Sequence, residues 1–204
     1  MNDAGKNKVE FYKENEFIEF KKIFLEFEKQ IERSIENLSQ GNGDNLLWVT
    51  TESSWLTFFL MTLEKVYPDS SFITEASLYT QDKKHLGRSD LFCALMDQGL
   101  KKYLLVEAKF SEIKTINAWL DKDKINSYLN NIDKQQLSNY QNIISVKFGL
   151  EFKKLIFIAE WFRTKEAFDE AIHRFDELEE SGAVHAAKLV RFSELGAILI
   201  FKFV

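Results

Sequence analysis

The chain has 204 residues, 45% of them hydrophobic and 19 of them Phe, which is ample core for one domain of ordinary size. One Pro and no low-complexity tract argue against disorder beyond about the first ten residues. A formal net charge of −5 argues against strong non-specific attraction to nucleic acid without excluding binding, because a local basic face with metal ions can offset global charge.

Cys93 stands alone, which argues for a reducing compartment and against a disulfide framework. The opening MNDAGKNKVE carries no apolar signal region, and no run approaches the length of a membrane span. The expectation is a soluble cytoplasmic protein without membrane contact. Residues 1–45 are expected to form a helical appendage to a domain at 46–204, within one compact unit.

The first long helix is predicted over 14–39, where Phe17, Phe20, Phe24, Phe27, Ile31, Ile35 and Leu38 recur at three or four as one apolar stripe. That stripe suits core packing or the seam of a homodimer. Gly41-Asn42-Gly43-Asp44 ends the helix. A second helix follows from Thr51 to Tyr67, capped by Thr50 or Thr51, stopped by Pro68, and buried through Trp55, Phe58, Phe59 and Leu63. Glu52 lies in its first turn, where the helix dipole favours a carboxylate. Ser71 to Thr80 reads as a strand carrying Glu75, and 81–87 as a polar loop carrying His85.

Gly87 to Phe110 contains two apolar runs, Leu91–Met96 and Tyr103–Val106, around Asp97-Gln98-Gly99-Leu100. Run length, β-favouring side chains and the central Gly predict a hairpin. If Gln98-Gly99 is a two-residue loop, Asp97 faces Leu100, and by that register Asp90 faces Glu107 with Cβ atoms about 5 Å apart. Lys109 projects from the same face as Glu107 and stands opposite Arg88. Both faces of the strands are otherwise apolar, so they are expected to be covered on both sides. Two carboxylates this close repel one another unless a cation sits between them. Such oxygen ligands suit Mg²⁺ or Mn²⁺. The same charges also fit a buried Glu107–Lys109 ion pair with Asp90 capping a turn.

Gly87-Arg88-Ser89-Asp90, then sixteen residues, then Glu107-Ala108-Lys109 resembles the signature of the PD-(D/E)XK, or restriction-endonuclease-like, nuclease superfamily. Ser89 stands where the superfamily's name has Pro. The resemblance covers about residues 50–162 and implies an α/β fold with an αβββαβ core, its mixed sheet flanked by helices, with an extra N-terminal helix here. It implies Asp90 and Glu107 as metal ligands, the Ala108 carbonyl as a further ligand, and Lys109 as the group that positions water or stabilises the transition state. In that superfamily the helix before the first core strand often carries a glutamate facing the metal, a role for which Glu52 is the candidate ahead of Glu64. Arg88 becomes a candidate substrate contact, with His85 a weaker one.

Residues 124–146 are predicted as a helix on which Gln136 and Tyr140, four apart, share a face. Gln-x-x-x-Tyr after the Glu-x-Lys strand resembles a secondary motif of the RecB-like branch, which implies substrate contacts for both residues; Gln135 and Gln141 are the substitutes if the phase differs. Lys153–Trp161 reads as a buried strand, 165–180 as an amphipathic helix closed by Ser181-Gly182, and Leu189–Phe192 and Ala197–Val204 as closing strands. His173 and His185 have no partner at metal-ligand spacing. The resulting expectation is a Mg²⁺- or Mn²⁺-dependent nuclease acting on DNA, with RNA not excluded. The alternative is a catalytically inactive binding module on the same fold.

Overall fold

The computed structural model describes residues 8–39, 52–79, 85–113, 123, 127, 130–131, 152–162, 164–192 and 195–204. Its strands are β1 (Glu10–Tyr12), β2 (Ser71–Tyr79), β3 (His85–Asp97), β4 (Leu100–Ile113), β5 (Phe152–Phe162), β6 (Ala186–Phe192) and β7 (Leu195–Phe203). They form a single 7-stranded sheet in the order β1-β6-β7-β5-β4-β3-β2. Neighbours are antiparallel except β4 and β5, which are parallel. The described helices are α1 (Phe20–Ser39), α2 (Glu52–Val66), α3 (Lys165–His173) and α4 (Phe175–Ser181). The chain is therefore an α/β protein with an open, mixed sheet. Among the described residues no helix is long and apolar enough to cross a membrane.

The hairpin turn is the most local part of the fold. Gln98 and Gly99 have φ of 48° and 82°, the pair of positive angles that a two-residue type I′ turn requires. Asp97 accordingly pairs with Leu100, and the ladder runs in step to Leu91 and Val106.

Strand alternation then sorts side chains between two cores. One face carries Leu91, Cys93, Leu95, Val106, Leu155, Phe157, Leu199 and Phe201 against α1 and α2. The other carries Leu105, Ile156, Ile158, Ile198 and Ile200 against α3 and α4. Phe20, Phe24, Phe27 and Ile31 of the α1 stripe are all buried in the first core. Of the two roles open to those residues, burial favours packing within the chain. Phe27 stacks on Trp55 of α2 and meets Phe157 of β5 edge-on, so helix and sheet close around one aromatic cluster.

Several boundaries differ from those predicted. The first helix begins at Phe20 rather than 14, because Asn15 turns the chain beforehand by accepting the Phe17 N–H at 2.7 Å. Strand β1, unforeseen in the sequence, pairs with β6 and is tied by Lys188, whose Nζ lies 2.9 Å from both Glu10 and Glu28. Strand β3 begins at His85, inside the predicted polar loop, and β4 continues to Ile113 because each strand has a partner over that length. The helix predicted at 165–180 is two helices broken at Arg174, whose guanidinium reaches Glu170 and Glu177 on either side. Gly182, in the left-handed conformation, closes the second as expected. The hairpin is covered unequally: Leu91, Cys93 and Leu95 are fully buried, whereas Phe92, Ala94 and Met96 are half-buried.

Candidate functional site

The site lies where the hairpin ladder stops. Beyond the Leu91–Val106 pair, the Asp90 side chain takes over from the β3 backbone, its Oδ2 accepting the Ala108 N–H at 2.7 Å. A buried N–H needs an acceptor, and a carboxylate placed there both satisfies it and opens the strands. Glu107 and Lys109, two apart on β4, project to one face. The Lys109 Nζ lies 2.6 Å from Glu107 Oε1, 2.9 Å from the Ala108 carbonyl oxygen and 4.0 Å from Asp90 Oδ2. Asp90, Glu107 and Lys109 are thus brought together in one cluster.

Exposure within the cluster is uneven. The Glu107 side chain is 3% exposed, against 25% for Asp90 and 26% for Lys109. Glu107 Oε2 is buried with no hydrogen-bond partner among the described residues. Burial pushes the Glu107 carboxyl up to about 7; Lys109 opposes that rise and the Asp90 charge adds to it. The donor set comprises two carboxylates and a backbone carbonyl, all hard oxygens, one of them buried and unsatisfied. These residues fit a divalent cation such as Mg²⁺ or Mn²⁺, which would relieve the orphaned oxygen and favour the ionised acid. Among the described residues no group of three or more His, Cys, Asp or Glu side chains is gathered at metal-binding distance, so waters or substrate oxygens would complete the shell.

The other predicted site residues are placed less closely. Glu52 opens α2, which packs on the face opposite Glu107, and its side chain lies outside the described residues. Arg88 is on β3 opposite Ser77, and the side chains of both Arg88 and His85 also lie outside them. Gln136 and Tyr140, with Gln135 and Gln141, fall outside the described residues; within the helix predicted there, Ser127, Asn130 and Asn131 are helical. His185 is occupied structurally, its Nδ1 accepting the Phe203 N–H at 3.3 Å, and burial holds its pKa below the usual value.

Two further acids lie near the site: Glu75, which the β2 pattern could bring to it or leave as a solvated edge residue, and Glu160, which no motif marks. Glu75 stands between the Thr74–Leu91 and Ala76–Ser89 pairs, and so opposite Asp90, with φ of 49°. A left-handed non-glycine residue costs about 1–2 kcal/mol, so β2 is strained at the point where β3 presents Asp90. Glu160, on β5, is 4% exposed and pairs with Ser111 of β4, on the same face as Glu107 and just past Lys109. Its signal was present: a lone carboxylate in the apolar strand LIFIAEWF.

No protein-family model matches the chain, nor does any curated protein or solved structure.

Proposed function

We propose that the chain is a divalent-metal-dependent nuclease that hydrolyses DNA phosphodiester bonds, built on a restriction-endonuclease-like core. The observation that carries this reading is the cluster of Asp90, Glu107 and Lys109 at the opened end of the hairpin. The element order α2, β2, β3, β4, described helical positions, then β5 is compatible with that core.

A phosphodiester resists hydrolysis because its anion repels nucleophiles and its alkoxide leaves poorly. A bound cation supplies charge neutralisation at the phosphate and acidifies the attacking water. Asp90 and Glu107 would hold it, with the Ala108 carbonyl oxygen as a third donor. Water oxygen bonds to phosphorus and gives up a proton to solvent, the bond to one ester oxygen breaks, and that oxygen takes a proton back from solvent as it leaves. The Lys109 ammonium, on the partly exposed side of the cluster, stabilises the charge that gathers on the phosphate oxygens or orients the water. Arg88, Gln136 and Tyr140 are the candidates for orienting substrate, and Glu52 for holding a second ion or its waters.

Incubation of supercoiled DNA with Mg²⁺ or Mn²⁺ tests the proposal. Wild type is expected to nick or linearise it, and Asp90→Asn and Lys109→Ala to cut at least ~100-fold more slowly. Equal cleavage by all three removes these residues from the mechanism. Parallel RNA substrates decide between the two nucleic acids. The closed Glu107–Lys109 ion pair and the net charge of −5 favour a second reading, an inactive binding module. Calorimetry separates the two, because a module of that kind has no need to bind Mn²⁺.

A further inference from the structure

The position of the Lys109 ammonium is more informative than an ion pair alone. Among the described residues the ammonium lies 2.6 Å from a Glu107 carboxylate oxygen, 2.9 Å from the Ala108 carbonyl oxygen and 4.0 Å from Asp90 Oδ2. They belong to the same three groups that fit a divalent cation. Cation and ammonium cannot occupy that place together, since Mg²⁺ draws its oxygens to about 2.0–2.1 Å. We infer that Lys109 is the built-in occupant of the cation position, a resident ammonium that a divalent ion must displace on binding. This inference rests on the metal site proposed above and concerns how that site is regulated.

The physical reason lies in the burial of Glu107. A carboxylate that is 3% exposed beside a second carboxylate is costly to leave uncompensated. In the metal-free protein Lys109 supplies the compensation from two residues along the same strand. Glu107 is enclosed, but the Lys109 side chain is 26% exposed and so has a way out towards solvent. The lysine's two roles then become sequential. It holds the carboxylates together before the ion arrives, and once displaced, still tethered beside them, it is available to the phosphate. The exchange also makes metal affinity lower than the two acids alone would give, so that the site fills mainly when substrate oxygens add to the donor set.

Calorimetric titration with Mn²⁺ of wild type, Asp90→Asn, Lys109→Met and Lys109→Gln reads this without any measurement of cleavage. Removing the competing charge is expected to tighten Mn²⁺ binding in both Lys109 variants on the order of tenfold, while Asp90→Asn loses it. A group that only positions water predicts Lys109 variants that bind Mn²⁺ as wild type does; that result, or weaker binding, overturns the inference and leaves the metal site standing. Binding of Mn²⁺ by neither wild type nor the Lys109 variants overturns the metal site itself, and the inference with it. The wild-type protein gives a second measurement that does not depend on variants folding. The Lys109 ¹⁵Nζ resonance, set in part by the hydrogen bonds to Glu107 and to the Ala108 carbonyl, is expected to shift when Mg²⁺ saturates the site. An unchanged resonance in Mg²⁺-bound protein overturns the displacement.

Discussion

At Glu107, burial and neighbouring charge pull against each other, and the balance makes the protein's stability depend on pH. Its carboxyl sits near 7 in the folded chain against an ordinary value of 4.5, first because it is buried and then because Lys109 only partly offsets burial and the charge of Asp90. Between those values the folded state holds a proton that the unfolded state has released, so the contribution is complete below pH 4.5 and is lost as pH rises through about 7. By linkage the folded state therefore loses stability as pH rises through that range, by an amount on the order of a few kcal/mol. Glu107→Gln is expected to abolish that part of the dependence and to be more stable than wild type at pH 8 without metal. Urea unfolding at pH 5 and pH 8, with a chelator present, measures it; parallel pH curves for the two proteins would contradict the assignment.

At the scale of the element, the β3–β4 hairpin was readable because its determinants are neighbours in the chain. Gln98-Gly99 between two apolar runs specifies both the turn and, through the period of two, which residues face each other. Gly99, at φ of 82°, is in the region a Cβ disfavours. Gly99→Ala is expected to cost about 1 kcal/mol, and Gln98→Asn, the better residue for that turn, to gain a few tenths. Thermal unfolding of both variants checks the signs. The element boundaries were less readable. The break at Arg174 leaves Phe168, Ala171, Phe175 and Leu178 all buried, so a single amphipathic pattern spans two helices. Strand β1 had no pattern of its own to show, since a three-residue edge strand is held by its partner β6 and by Lys188.

Across the whole molecule, the two faces of the sheet divide the work. The face with α1 and α2 is the larger aromatic core, in which Phe27, Trp55, Phe59, Phe157 and Phe201 are all buried. Phe27→Ala is expected to cost about 3–5 kcal/mol, read as the shift in a denaturation midpoint, because the cavity would open between α1, α2 and β5. The other face carries the site and a tighter constraint at Gly196. A Cβ there would meet the Phe168 ring of α3 at 2.3 Å. Gly196→Ala is therefore expected to destabilise by about 1–3 kcal/mol, with α3 displaced from β7. A variant as stable as wild type in the same denaturation would show that α3 docks with room to spare.

The sequence by itself determined the order of the main elements, the hairpin register and the common face of Glu107 and Lys109. Each follows from turn chemistry or side-chain periodicity over a few residues, and no distant partner is needed to decide it. Tertiary structure alone decided that β7 and β6 extend the sheet beyond β5, that α1 closes on the same core as α2, and that Glu107 is enclosed while Asp90 and Lys109 stay partly open. Those outcomes depend on which remote strands and helices cover each position. The Glu107 carboxyl takes its properties from burial and from Asp90 and Lys109 together, which strand pairing alone does not fix.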